Sequence, residues 1–335
     1  MKPFVGYHAF LAVFDLIFQQ MHMTQQAFDT ARSLRDNMER VVLGKPDVVQ
    51  LIVVALLAGE HVLLEDVPGV GKTLAAKALA HSIDGQFSRL QFTPDLLPSD
   101  IVGSMIYRSD SAEFQFSPGP IFSNVVLADE INRAPPRTQS ALLEAMSEGQ
   151  VSIDGTTHPL PDPFIVVATQ NPYEYEGTYR LPESQMDRFL LRTSIGYPDR
   201  SSERAVMESH RRGEPVDELK ACVDPAVIRQ AQESVRDVVF DDRLVDYLLN
   251  VVDATRNHGD FRIGVSTRAA LSYYRGCQAL AITNSRDFVS PDDIKQLAVP
   301  VLSHRILSSG VLQGSDRSSV EKQIAEMLQR IPVPI

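Results

Sequence analysis

Three short apolar runs stand out along the amino-terminal part of the chain. They are His61-Val62-Leu63-Leu64-Glu65, Val125-Val126-Leu127-Ala128 and Phe164-Ile165-Val166-Val167-Ala168. None alternates with polar residues, so each predicts a strand covered on both faces of a parallel sheet. Helical spacing fills the intervals. A polar helix is expected over 24–40, and an apolar one from Val48 to Leu57 that stops at Gly59. Leu74, Ala75, Ala78 and Leu79 mark a helix directly after a glycine loop, and another spans 138–146. Beyond Tyr197-Pro198-Asp199 the strand-like runs disappear. Leu244, Leu248, Val251, Val252 and Thr255 form one helical stripe; Ala270, Tyr273, Tyr274, Cys277 and Ala281 form another. Ser290-Pro291-Asp292-Asp293 opens a third helix, with a capping serine, proline at the first position and acids at the positive end of the dipole. The pattern predicts an α/β, parallel-sheet core over 24–198 and a small all-helical domain with its linker over 199–335. Residues 1–23 are read as an amino-terminal extension.

Composition narrows the class. With 335 residues, 44% hydrophobic and 22% charged, the chain is a folded globular protein with room for two domains. Thirty-two basic against 43 acidic side chains give a net charge of −11, which opposes non-specific attraction to nucleic acid or anionic lipid. The two cysteines, Cys222 and Cys277, are too far apart for a CxxC pair, which argues against a disulfide framework or zinc site and for a reducing, cytoplasmic setting. The apolar stretch 9–18 is interrupted by Asp15 and is about half of the ~20 residues a membrane span needs. No small-residue cleavage site comes after it, so a secretory signal is not expected.

The candidate chemistry begins where the first strand meets its helix. In Glu65-Asp66-Val67-Pro68-Gly69-Val70-Gly71-Lys72-Thr73 the glycines let backbone N–H groups encircle a phosphate. Lys72 can pair with its outer oxygens, and the Thr73 hydroxyl can ligate Mg²⁺. The general pattern has glycine where this chain has Asp66. The second strand ends in Asp129-Glu130, where one carboxylate can hold the magnesium shell and the next can activate water. The third ends in Gln170-Asn171-Pro172, an amide placed to orient that water.

These motifs, together with GPIFSNVVLADEINRAPPRTQSALLEAMSEGQV, ATQNPYEYEGTY and LPESQMDRFLLR, resemble AAA+ ATPases and, within them, the MoxR family, from about Gly44 to Arg305. The resemblance implies a P-loop core with a helical lid, and ATP and Mg²⁺ as cofactors. It implies that Pro68, Gly69, Val70, Gly71, Lys72, Thr73 and Leu74 bind the nucleotide, with Val42 and Gly44 lining the adenine. Thr73 and Asp129 would serve the metal. Glu130, Asn171 (sensor 1), Arg188 (the arginine finger) and Arg268 (sensor 2) would serve catalysis, with Arg133 a further interface candidate. Arg180 and Thr267 stand where family members often have proline. Two inserts, over 99–116 and 148–162, are similar to the hairpins of this branch. The first has one basic residue against three acids and the second three acids with no Lys or Arg, so they disfavour DNA. The same resemblance implies a homo-oligomeric ring, hexameric as is usual in such families, that works on client proteins with a von Willebrand factor A-domain partner. A chelatase motor subunit and a nucleotide-gated scaffold with little turnover stand as alternatives.

Overall fold

The computed structural model describes residues 5–172, 177–308 and 317–334. Residues 173–176, within one of the family-like stretches, and the first four residues of the expected extension lie outside them. Helix α1 (Val5–Glu39) leads into α2 (Pro46–Leu57), β1 (Val62–Glu65), α3 (Lys72–Ser82), β2 (Phe87–Gln91) and α4 (Pro98–Val102). A hairpin of β3 (Gly103–Arg108) and β4 (Glu113–Pro118) precedes β5 (Val125–Asp129) and α5 (Pro136–Glu148). A second hairpin, β6 (Gln150–Ile153) and β7 (Thr156–Pro159), precedes β8 (Ile165–Gln170), α6 (Glu183–Met186) and β9 (Leu191–Thr193). The remainder is helical: α7 (Arg200–Ser209), α8 (Pro225–Arg236), α9 (Asp242–Arg256), α10 (Thr267–Thr283), α11 (Pro291–Leu302) and α12 (Arg317–Arg330). A two-stranded ribbon of β10 (Phe261–Ile263) and β11 (Leu307–Ser308) joins these helices.

The five core strands pair in parallel in the order β2-β5-β8-β1-β9. The three expected strands are therefore the central ones, and their fully buried runs reflect cover on both faces. Because successive side chains point to opposite faces, each strand feeds two clusters. Val62, Leu64, Val125, Leu127, Ile165 and Val167 join a cluster that continues through α1, α2, α3 and the carboxyl-terminal helices. Leu63, Val126, Ala128, Val166 and Ala168 join a second, with α5 and the base of the hairpins.

The helix expected from Thr24 is part of a longer one, since no proline or glycine interrupts 7–39. Its residues Ala27, Ala31, Leu34 and Met38, spaced by four and three, are fully buried. Leu34 and Met38 contribute about 1.5–3 kcal/mol each by leaving water. Asn37 on the same helix donates to Ser82 Oγ (3.0 Å) and to the Lys220 carbonyl (3.1 Å), while Gln50 on α2 donates to Thr283 Oγ1 and Asn284 Oδ1. The amino-terminal helices thus share one core with both the sheet and the lid.

Both expected hairpins are present. A Cβ at Gly103 would lie 2.2 Å from the Ser117 carbonyl oxygen and one at Gly119 2.3 Å from that of Ile101, so glycine is what lets the first hairpin close at its base. Phe116 stacks on His158 at 4.1 Å, tying the two hairpins together. Among the described residues no helix is long and apolar enough to cross a membrane.

Candidate functional site

The carboxyl ends of β1, β8 and β5, three neighbouring strands, carry the phosphate-loop, sensor and acidic motifs respectively. After Glu65 the chain turns at Gly69 (φ +82°) and Gly71 (φ +97°), left-handed conformations that disfavour other residues, and nothing lies within 4 Å of where a Cβ would be. That open space is room for a bound group. Gly71 caps α3 without any side-chain hydrogen bond, so the helix presents its first-turn N–H groups and the positive end of its dipole there. Lys72 Nζ reaches back to the Asp66 carbonyl (2.5 Å) and towards that of Gln170 (3.5 Å), spanning the loop mouth. Thr73 is half-buried in the first turn, Val70 and Leu74 pack against the main core, and Pro68 is exposed.

Thr169 organises the acidic pair. Its hydroxyl donates to Asp129 Oδ1 (2.6 Å) and accepts from the Glu130 backbone N–H (2.9 Å). The other Asp129 oxygen accepts from Arg89 at 2.7 Å. Glu130 is held at φ +57°, a left-handed conformation costing about 1–2 kcal/mol for a residue with a Cβ. Its carboxylate accepts from Gln91 Nε2 (2.8 Å) and lies 3.3 Å from Arg133 Nε. Asn171 follows β8 and is buried. Its neighbour Gln170 donates to Glu65 Oε1 (2.7 Å), whose second oxygen accepts from Arg192 (2.9 Å). Arg192, on β9, also donates to Ser303 Oγ (3.2 Å) and to Glu321 Oε1 of α12 (2.5 Å). Burial lowers its pKa, an effect that Glu321 opposes.

Val42 and Gly44 lie in the turn between α1 and α2. Val42 is buried, and Gly44 (φ +72°) is approached so closely by α7 that a Cβ would sit 2.2 Å from Ser202 Oγ. Lys45 donates to the Tyr197 carbonyl (2.8 Å), in the strap between β9 and α7.

Arg188 and Arg268 converge elsewhere. Arg188 donates to the Leu143 carbonyl, and Arg268 Nη2 to Ser147 Oγ at 3.3 Å, both in the last two turns of α5. The carbonyl of Met146, between them, lies 3.1 Å from His61 Nε2, and His61 stands at the amino end of β1. The two arginines therefore lie towards the amino-terminal ends of the strands, opposite the end that carries the phosphate loop. Asp187, beside Arg188, bonds Ser266 Oγ (3.1 Å) at the start of α10 and pairs with the buried Arg305 (3.1 Å). Burial brings the Arg305 pKa down to about 10, against the raising effect of Asp187 and Glu60, so the guanidinium keeps its charge at neutral pH.

Glu65, Thr169, Gln170 and Arg192 belong to stretches already conspicuous in the sequence, whereas Arg89 and Glu321 give no local signal. Among the described residues no three His, Cys, Asp or Glu side chains form a metal cage. Mg²⁺ needs no such cage, because it keeps several waters and binds through one or two carboxylates plus substrate phosphates. The hard oxygens of Thr73 and Asp129 suit it. Arg89, whose side chain is about half exposed, can release Asp129 without being stranded in the interior.

Residues 61–191 match the model of the ATPase family associated with various cellular activities (AAA), and 253–326 match the AAA lid domain. The chain is 46% identical to the uncharacterized protein YeaC of Bacillus subtilis over 90% of this chain and 93% of that one. It is 42% identical to the chaperone MoxR1 of Mycobacterium tuberculosis, over 88% and 80% of the respective chains. The crystal structure of a candidate ATPase from Cytophaga hutchinsonii superposes with a TM-score of 0.87 at 37% identity, over 95% of this chain and 99% of that one. Sheet order, lid and relatives agree: the chain belongs to the MoxR family of AAA+ ATPases.

Proposed function

We propose that this protein hydrolyses ATP as an assembled ring and uses the cycle to remodel client proteins. The observation that carries the reading is the meeting of Lys72, Asp129, Glu130 and Asn171 at the ends of three adjacent strands. In this reading the glycine loop, with Pro68 through Leu74, holds the phosphates, and Val42 and Gly44 line the base. Mg²⁺, when bound by Thr73 and Asp129, neutralises charge on the phosphates. Glu130 takes the proton of the attacking water and Asn171 orients it. Arg188 and Arg268 face away from their own loop, so each serves the nucleotide of a neighbouring subunit. That makes hydrolysis conditional on assembly, with six subunits the proposed number. Residues 24–198 form the motor domain, 199–335 the lid with its linker, and 1–23 an extension. The acidic hairpins favour protein over nucleic acid as the client. Maturation or metal insertion, with a von Willebrand factor A-domain partner in the cytoplasm, is the proposed setting.

The test is ATPase activity per subunit across a hundredfold range of protein concentration, with Glu130→Gln as the blank for contaminating hydrolysis. Activity that rises with concentration supports the shared interfacial site. A flat trace at the level of the blank refutes turnover by the chain alone and favours a nucleotide-gated scaffold.

A further inference from the structure

Asp66 occupies the position that is glycine in the general phosphate-loop pattern. Its backbone gives no reason for glycine: among the described residues the non-glycine positions with positive φ are Ala112, Glu130, Asp154 and Ser285. The carboxylate, in contrast, is fully engaged. Oδ1 accepts from the Val67 N–H at 2.8 Å, within the loop. Oδ2 accepts from the Gly196 N–H at 2.5 Å, 130 residues away in the strap between β9 and α7. The same strap is tied by the Tyr197 carbonyl to Lys45, and where it enters α7 it packs through Ser202 against Gly44. Gly196 is itself left-handed (φ +64°), which turns its N–H towards the loop. A continuous path therefore runs from the phosphate loop through Asp66, Gly196, Tyr197 and Lys45 to Gly44 and Val42.

We infer that Asp66 is a positioning residue that couples the phosphate loop to the base-binding wall, so that the adenine contributes to affinity only while this carboxylate holds the strap. The inference rests on the proposed nucleotide-binding reading and deepens it. Phosphates alone are held by backbone N–H groups and Lys72, which need no strap. A whole nucleotide must touch both walls, and their spacing is set by the Asp66 bonds. The consequence runs against motif matching: Asp66→Gly brings the sequence into agreement with the general pattern and makes it a poorer ATP binder.

The experiment measures Kd for ATP and for inorganic triphosphate, both with Mg²⁺, by calorimetry on the full chain as wild type, Asp66→Gly and Asp66→Asn. Asp66→Gly is expected to raise the Kd for ATP about tenfold, the scale of losing a charge-assisted hydrogen bond, and that for triphosphate by less than about twofold. Asp66→Asn, which keeps one acceptor oxygen, is expected to lie between wild type and Asp66→Gly. It also supplies the same ratio if the glycine variant fails to fold. A loss shared equally by the two ligands shows a local effect on the phosphate loop and overturns the coupling, as does an unchanged ATP affinity in both variants. Wild-type protein that binds neither ligand overturns the nucleotide-binding reading instead, so the two failures are distinguishable.

Discussion

Removing Arg192 tests whether the fold under the site depends on a buried charge. Its side chain is 5% exposed and that of its partner Glu65 is 8% exposed, whereas Glu321, the third member, is 43% exposed. In Arg192→Met the Glu65 carboxylate stays in the interior without its guanidinium, a situation that costs about 3–5 kcal/mol. Glu321 rejoins solvent, and its share is about 0–1 kcal/mol. The sum is a large fraction of the net stability of a folded protein. For 335 residues it corresponds to a fall in Tm of about 4–9 °C. Removing the orphaned charge as well should repair most of the damage. Glu65→Gln keeps a hydrogen-bonding group beside Gln170 and carries no charge, so the double variant Arg192→Met, Glu65→Gln is expected to regain at least half of the loss. Urea and thermal unfolding of the wild type, both single variants and the double variant complete the cycle. If Arg192→Met costs less than about 1 kcal/mol, or if the double variant loses the sum of the singles, the buried pair does not support the sheet as argued.

Two further outcomes are expected from the geometry. Burial lowers His61 to a pKa of about 4, so the folded state resists the proton that the unfolded chain takes up below about 6.5. Stability from this source is complete above pH 6.5 and is lost as the pH falls through that value towards 4, by about 2 kcal/mol at pH 5. Denaturant unfolding at pH 7 and pH 5 should show a smaller acid loss in His61→Gln than in wild type, and equal losses contradict the assignment. Arg188→Ala and Glu130→Gln proteins, each inactive alone, should regain ATPase activity on mixing. About a quarter of the interfaces in a randomly mixed ring then combine an intact arginine with an intact carboxylate. A mixture no more active than its parts, or full activity of Arg188→Ala alone, removes the trans role.

The central strands and the candidate site at their ends were legible because the signals are local. A strand buried on both faces writes an unbroken apolar run, as at Val125 to Ala128, and the loop, acidic pair and amide come directly after in sequence. Strand β2, Phe-Ser-Arg-Leu-Gln at the sheet edge, has only Leu90 buried, and β9 is three residues long. Neither could write a pattern, and each is recognisable only by its pairing with β5 or β1. The two-residue strand β11, paired with Phe261–Ile263, is likewise set by tertiary contact. Charge placement was hidden for a different reason. Arg192 closes the stretch LPESQMDRFLLR, but it is separated from Glu65 by 127 residues and from Glu321 by 129, so nothing local names its partners. The change of pattern near residue 198 marks where the five-stranded parallel sheet ends, but cohesion does not end there, since α1 and α2 lie in one core with the sheet and the lid helices.

The division of the sheet into two clusters makes it a bulkhead. Hairpin residues Val151 and Leu160 press only on the cluster that holds Leu63, Val126 and Val166, while the lid helices press on the opposite face. A change in the hairpins is absorbed on its own side, where hairpin strands can lengthen, shorten or exchange residues without repacking Leu34, Met38 or Tyr273 beyond the wall. The hairpins and the core beneath the lid are thus free to vary at different rates, one changing while the other is left alone.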